Sequence, residues 1–221
     1  MSDTPLHVLL ADDHAIVRAG VRQILAARFA AEFVEAETAR EALQAASRHK
    51  FDLILIDVTM PGRSGLDVLG ELTAAQPRTP ILVLSMHAET QFATRALRAG
   101  ASGYVTKSSV ASELLRAVEK VLAGERYICD SLAQHLAAVF QLGGKPKHGG
   151  LHETLSAREF EVLRMIAMGK SGKEIAAELS LSFKTVSTYR TRLLQKLDLR
   201  SNGELVRYAV RERLIEPPPG L

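Results

Sequence analysis

The sequence predicts an α/β domain followed by a small all-α domain, and three observations carry that expectation. Residues 6–123 alternate five short apolar runs with amphipathic stretches of helical spacing, as in a parallel sheet covered by helices on both faces. Residues 143–150, Gly-Gly-Lys-Pro-Lys-His-Gly-Gly, have the composition of a flexible tether. Residues 154–215 are helical in pattern throughout, with nothing that reads as a strand. At 221 residues the chain is long enough for two modest cores, and 47% hydrophobic with 24% charged residues is ordinary for a globular protein.

The apolar runs are 6–11, 32–36, 52–57, 80–85 and 102–106. Helical patterns fall near 14–28, 38–48, 65–75, 89–98 and 110–123. Thr38-Ala39-Arg40-Glu41 reads as a capping box opening the second helix, and Gly100 and Gly124 stand where helices should stop. Beyond Gly124, Leu132 to Leu142 could form one short helix before the tether. The expected boundaries are therefore 5–123 for the first domain, 124–152 for a linker with a short helix, and 153–216 for the second domain. Capping-box signatures at Ser156, Ser171 and Ser201, with Ser182 as a further cap, divide the second domain into four helices. Pro217-Pro218-Pro219 ends the last of them.

The net charge of +3 is unevenly placed. Residues 1–150 hold 16 Lys+Arg against 16 Asp+Glu, whereas residues 151–221 hold 12 against 9. Within 182–200 the basic residues Lys184, Arg190, Arg192, Lys196 and Arg200 face Asp198 alone. A compact basic helix points to nucleic acid. The single Cys129 cannot form an intramolecular disulfide, no window is long and apolar enough for a membrane span, and residues 1–5 lack a signal-peptide pattern. The expected location is the cytoplasm, with no membrane partner.

Two of the apolar runs end in carboxylates: Asp12-Asp13 after the first and Asp57 at the end of the third. In an open parallel sheet both reach the carboxyl edge, where such folds bind ligands. Like charges gathered there are costly unless a hard cation neutralises them, and carboxylates with water suit Mg²⁺. A strand-end carboxylate beside such a metal can attack phosphorus. Ser85, ending the fourth run, and Lys107, just past the fifth, reach the same edge and can hold phosphoryl oxygens. His14 and His87 read as loop or helix-start residues, with no partners for a transition-metal site.

In the second domain, Lys173 to Leu179 forms a short helix, Ser180-Leu181 a tight turn, and a longer helix begins after Ser182. That is helix-turn-helix spacing, whose second helix enters the major groove of DNA. Val186, Tyr189, Leu193 and Leu197 share the inward face of the longer helix, whereas Lys184, Ser187, Thr188, Thr191 and Gln195 share the other, flanked by Arg190 and Arg192. Hydroxyls between long basic side chains suit base edges and phosphates respectively.

Residues 6–123 resemble a two-component receiver domain, and the whole chain resembles a response regulator of the NarL/FixJ class with a LuxR-type helix-turn-helix domain. The motifs are Asp12-Asp13, Asp57-Val58-Thr59-Met60-Pro61-Gly62-Arg63-Ser64-Gly65, Ser85-Met86-His87 and Gly100 to Lys107. Leu155 to Glu159, Gly169 to Ala176 and Leu181 to Tyr189 match the LuxR-type pattern. The resemblance implies a flavodoxin-like (βα)5 fold of strand order 2-1-3-4-5 joined to a four-helix helix-turn-helix domain. It implies that Asp57 accepts a phosphoryl group from a sensor histidine kinase, and that the protein is a transcription regulator rather than an enzyme. Asp13, Asp57 and the backbone carbonyl of Thr59 would ligate Mg²⁺ with help from Asp12; Ser85, Lys107 and Tyr104 would respond to the phosphoryl group. Lys184, Thr185, Ser187, Thr188, Arg190, Thr191 and Arg192 would contact double-stranded DNA, and phosphorylation would favour a homodimer.

Two positions depart from the pattern. Ser108 follows Lys107 where many receivers have a cis-proline, so a trans bond or a reshaped loop is expected. Lys173 stands where the LuxR type often has asparagine. The residues alone leave alternatives open. Tyr104 could simply pack the sheet edge, and Leu205, Val206, Tyr208 and Ala209 could form a dimer face or close the bundle. A flavin-type ligand sensor and a metal-dependent phosphohydrolase are the rival functions.

Overall fold

The computed structural model describes residues 5–86, 90–129, 133, 151–179, 181–212 and 214–215. The chain divides into two compact units, Met1–Gly144 and Lys145–Leu221.

In the first unit the apolar runs become parallel strands β1 (Leu6–Ala11), β2 (Ala31–Ala36), β3 (Leu53–Asp57), β4 (Ile81–Ser85) and β5 (Gly103–Thr106). Between and after them run α1 (Ala15–Ala26), α2 (Ala39–Arg48), α3 (Gly65–Ala75), α4 (Thr90–Arg98) and α5 (Val110–Leu122). A two-residue strand β6 (Tyr127–Ile128), not expected from the sequence, pairs parallel with β5 and extends the order to β2-β1-β3-β4-β5-β6. A run of only two residues has no periodicity to betray it; its edge position comes from the chain turning back after Gly124, which adopts φ +82°. The Leu132 to Leu142 helix expected from the sequence lies outside the described residues, apart from Ala133.

The central strands β3 and β4 are buried at every residue, which is why they read as unbroken apolar runs rather than alternating ones. One side chain set, Val8, Leu10, Leu53, Leu55, Leu82, Leu84 and Val105, packs with Val21 and Leu25 of α1 and Leu114, Val118 and Val121 of α5. The alternate residues Leu9, Ile54, Ile56, Ile81 and Val83 are buried as well, and α2, α3 and α4 adjoin one another in sequence order. Each apolar face is therefore removed from water, the main favourable term in folding such a layer.

The starts of α2 and α3 are closed by local hydroxyls, whereas those of α1 and α5 have no side-chain cap bond. Thr38 Oγ1 accepts from Glu41 N at 3.2 Å, but the Glu41 carboxylate accepts from Glu37 N at 2.9 Å, so the expected box reaches back one residue further. Ser64 and Asp67 form a reciprocal box, each bond 3.2 Å, that opens α3. Aspartate stands here in place of the usual Glu or Gln, so the box does not match the common sequence signature.

The second unit holds a 3₁₀ turn (Leu151–Thr154) and helices α6 (Ala157–Ala167), α7 (Gly172–Glu178), α8 (Phe183–Lys196) and α9 (Asn202–Arg211). Complete capping boxes open α6 at Ser156 and α7 at Ser171, and Ser182 and Ser201 cap α8 and α9. Phe160, Leu163, Ile175, Val186, Leu193, Leu197, Leu205 and Ala209 are buried. Leu205, Tyr208 and Ala209 thus close the bundle, and Tyr208 Oη also accepts from His152 N at 3.1 Å. The Lys196 ammonium lies 2.7 Å from buried Glu159, the capping carboxylate of α6, tying the end of α8 to the start of α6. Among the described residues no helix is long and apolar enough to cross a membrane.

Gly65 sits so close to β3 that a Cβ there would lie 2.0 Å from the Asp57 carbonyl oxygen and 3.1 Å from Ile56 Cγ1. The backbone itself is in the way, so no side-chain rotation relieves the clash. Gly65→Ala should therefore lower unfolding free energy by about 3 kcal/mol or more. Gly70→Ala, on the exposed side of the same helix with nothing within 4 Å of its added Cβ, should raise it by about 0.5–1 kcal/mol. Urea titration of both variants provides the check.

Candidate functional site

The strand order places the ends of β1, β3, β4 and β5 side by side at the carboxyl edge of the sheet. Ala11 is in register with Ile56, Asp57 with Leu84, and Ser85 with Thr106. Asp12, Asp57, Ser85 and Lys107, distant in sequence, therefore emerge along one line.

Asp12 is fully buried and Asp57 is 1% exposed. Between them stands the Lys107 ammonium, 2.7 Å from Asp12 Oδ2 and 2.8 Å from Asp57 Oδ2. One cation thus faces two buried carboxylates, an imbalance the low-dielectric surroundings magnify. Burial pushes the Asp57 carboxyl up to about 6; the Lys107 charge opposes that rise and the Asp12 charge adds to it. Burial also works against the charge on Lys107, but Asp57 and Asp12 outweigh it and hold its pKa above the ordinary lysine value.

Asp57 Oδ1 is buried without a hydrogen-bond partner, and so is Thr59 Oγ1. Asp13 lies at the rim, its Oδ1 2.7 Å from His14 Nδ1, and the His14 backbone N–H donates to Asp12 Oδ1 at 2.9 Å. Ligand atoms of Asp12, Asp13, His14 and Asp57 all fall within 4.8 Å of one another. His14 does stand at the start of α1, as read from the sequence, but its ring belongs to the acidic cluster as well. A buried carboxylate oxygen with no donor, inside a net-negative group of oxygen atoms, is the chemistry of a seat for a hard divalent cation.

Ser85 and Tyr104 are both fully buried, and the Tyr104 side chain hydrogen-bonds Ser85. Burial raises the Tyr104 phenol far above its ordinary pKa, so it stays neutral. Lys107 N donates to the Ser85 carbonyl at 2.6 Å, which locks the lysine's backbone to β4. Among the described residues there is no cis peptide bond. The loop after Lys107 is shaped instead by hydroxyls: Thr106 Oγ1 shares hydrogen bonds with Ser108 Oγ at 3.0 Å and Ser109 Oγ at 2.9 Å. Ser109 Oγ in turn approaches Glu113 Oε2 at 3.4 Å, and Tyr127 Oη donates to the same oxygen at 3.2 Å. His87 lies outside the described residues.

One buried charge at this edge escaped the sequence reading. Arg18 donates from Nη1 to the Asp12 carbonyl at 2.7 Å. The available signal was its place on the apolar face of α1, three and seven residues before Val21 and Leu25.

In the second unit the inward face of α8 is as expected: Val186, Leu193 and Leu197 are buried and Tyr189 is half-buried. Lys184, Ser187, Thr188, Thr191, Arg192 and Gln195 are exposed together. Thr188 and Thr191 Oγ1 donate to the carbonyls of Lys184 and Ser187 at 3.0 and 3.1 Å, which fixes their side-chain rotamers. Two of the expected contact residues also serve the fold. Thr185 donates its N–H to the Ser182 cap at 3.0 Å, and Arg190 Nε donates to Asn202 Oδ1 at 2.6 Å, at the start of α9.

Two family models cover both halves of the chain. "Response regulator receiver domain" matches residues 8–119, and "Bacterial regulatory proteins, luxR family" matches residues 153–209. The chain belongs to the NarL/FixJ class of response regulators. It is 38% identical to the response regulator GacA of Pseudomonas aeruginosa, over 96% of this chain and 98% of that one. It is 37% identical to the oxygen regulatory protein NreC of Staphylococcus haemolyticus, covering 96% and 100% respectively. Among solved structures, the RcsB response regulator of Salmonella typhimurium matches with a TM-score of 0.57 and 26% identity, over 94% of this chain and 98% of that one. A LuxR-family response regulator from Aurantimonas matches with a TM-score of 0.59 and 37% identity, over 62% of this chain and 99% of that one. This response regulator is accordingly a DNA-binding transcription regulator of a two-component system, whose receiver works with a sensor kinase, and not a conventional enzyme. Its acidic pocket of Asp12, Asp13 and Asp57 is of the kind that binds metal.

The buried Asp57 makes stability depend on pH in a definite sense. Its folded pKa lies above its unfolded value, so its contribution is intact below about pH 4 and declines as pH rises through about 6. Asparagine escapes that decline. In metal-free buffer, Asp57→Asn should gain about 3 kcal/mol relative to the parent between about pH 4 and about pH 7, as read by denaturant titration at each pH.

Proposed function

We propose that phosphoryl transfer from a sensor histidine kinase to Asp57 controls sequence-specific DNA binding by α8. The observation that carries this reading is Asp57 Oδ1, a buried carboxylate oxygen without a donor, beside the Lys107 ammonium. In the transfer, the bond between phosphorus and the kinase's histidine nitrogen breaks, its electron pair stays on the imidazole, and an Asp57 oxygen forms the new bond to phosphorus. Asp57 must be ionised to attack. Lys107, already between Asp12 and Asp57, pairs with the phosphoryl oxygens, and Ser85 donates its hydroxyl to one of them. Ser85 is also the hydrogen-bond partner of Tyr104, so its turn toward the phosphoryl group withdraws that partner and lets the phenol change rotamer.

Asp13, Asp57 and the Thr59 backbone carbonyl would hold Mg²⁺, with Asp12 assisting. When bound, the ion supplies positive charge against the phosphoryl oxygens. We assign residues 5–123 to the receiver, 124–152 to the linker and 153–216 to the DNA-binding domain. Within that domain Lys184 and Arg192 serve the phosphates, and Ser187, Thr188 and Thr191 the base edges. Thr185 and Arg190 combine contact with their structural bonds. Phosphorylation favours a homodimer on paired half-sites, in the cytoplasm.

Incubation with a small phosphodonor and Mg²⁺ should add one phosphoryl group to the intact mass of the parent and none to Asp57→Asn. A bound flavin in the native mass, or turnover of an added phosphoester, would favour a ligand sensor or a phosphohydrolase instead. In DNA-binding titrations, Lys184→Ala should weaken all sequences alike and reduce the salt slope by about 1, whereas Thr188→Ala should chiefly change sequence preference.

A further inference from the structure

Arg18 lies on the inward face of α1, its side chain 9% exposed. A guanidinium so placed needs acceptors for its fixed fork of donors. It has three. Nη1 donates to the Asp12 carbonyl at 2.7 Å, Nε to Glu35 Oε2 at 2.7 Å, and Nη2 to Glu37 Oε1 at 2.8 Å. Glu35 belongs to β2 and Glu37 follows it; the other oxygen of Glu35 is held by Arg22 at 2.9 Å. Along the β1–β2 ladder, Asp12 N–H still bonds to Ala36 O at 3.0 Å. Past that rung, the carbonyl of the same residue is taken by Arg18 instead of by a strand.

That carbonyl belongs to the planar peptide linking Asp12 to Asp13. Fixing its oxygen fixes the plane from which both acidic side chains project, one into the pocket and one at its rim. We propose that Arg18 is a positioning residue for the acidic pocket: braced on Glu35 and Glu37, it sets the Asp12–Asp13 peptide so that both carboxylates converge on one cation. The inference rests on the reading of that pocket as a divalent-cation site. Its specific content is that cation affinity, not only folding, depends on a side chain that never touches the ion. Lysine keeps the charge of Arg18 but lacks the three-way fork.

The test is calorimetric titration of the full chain with Mg²⁺, alongside amide hydrogen exchange at Asp13 and His14. Arg18→Lys and Arg18→Met should bind Mg²⁺ about tenfold more weakly or worse, a typical cost of losing an outer support of a metal site, with faster exchange at both amides. Val21→Ala, a core truncation on the same helix, should lower the thermal midpoint and leave Mg²⁺ affinity unchanged. Arg22→Gln, which removes the exposed bond to Glu35 and the guanidinium over Phe33 but none of the three Arg18 bonds, should also leave it unchanged. Should the Arg18 variants fail to fold, Glu37→Gln loosens the fork from its exposed end and must still weaken Mg²⁺ binding. Parental affinity in Arg18→Lys, or an equal loss in Val21→Ala, overturns the positioning role alone. A parent chain that binds no Mg²⁺ overturns the pocket reading and this inference with it.

Discussion

Two carboxylates held out of water against a single ammonium set the terms for the first unit. Asp12 and Asp57 each lie within 2.8 Å of Lys107, and neither can move away, because each is the terminus or neighbour of a central strand. Removing Lys107 would leave two buried carboxylates with no cation, a large cost, whereas removing the Asp57 charge leaves a balanced Asp12–Lys107 pair. The arrangement is nevertheless one positive charge short. Burial raises the Asp57 pKa, with the Asp12 charge adding to the rise, and Asp57 Oδ1 is left without a hydrogen-bond partner. A core built only for stability would have neutral, well-packed side chains here; a carboxylate kept short of partners is the kind of group that binds a positive ion.

Much of this was legible in the sequence because short unbroken apolar runs that alternate with longer amphipathic stretches read as strands covered on both faces. Once five such runs alternate with helices, the parallel sheet brings their ends together, and Asp12, Asp57, Ser85 and Lys107 follow. What escaped was of two kinds. Strand β6 is too short to carry a period, and it exists because an edge of β5 was free to pair. The roles of Arg18, Thr185 and Arg190 depend on which acceptor a long or branched side chain finds in three dimensions. Periodicity places such residues on a face but does not name their partners. Tyr208 and its neighbours on α9 illustrate the converse: an apolar face can serve a dimer or a core, and the buried contacts with α6 show that it serves the core.

The second unit divides its labour differently from the first. Its four helix starts are each closed by a serine, and Glu159 and Lys196 fasten one end of α8 to α6. The buried residues Val186, Leu193 and Leu197 hold the other side of that helix. Stability is thus vested in caps, core and ion pairs such as Glu159–Lys196, Arg158–Glu161 and Lys170–Glu178, none of which involves Lys184, Ser187, Thr188, Thr191 or Arg192. Those five positions are consequently free to drift without unfolding the domain. On the proposed reading of α8, a lineage carrying this scaffold can acquire a new operator by re-lettering one exposed stripe, while the machinery that senses the signal stays as it was.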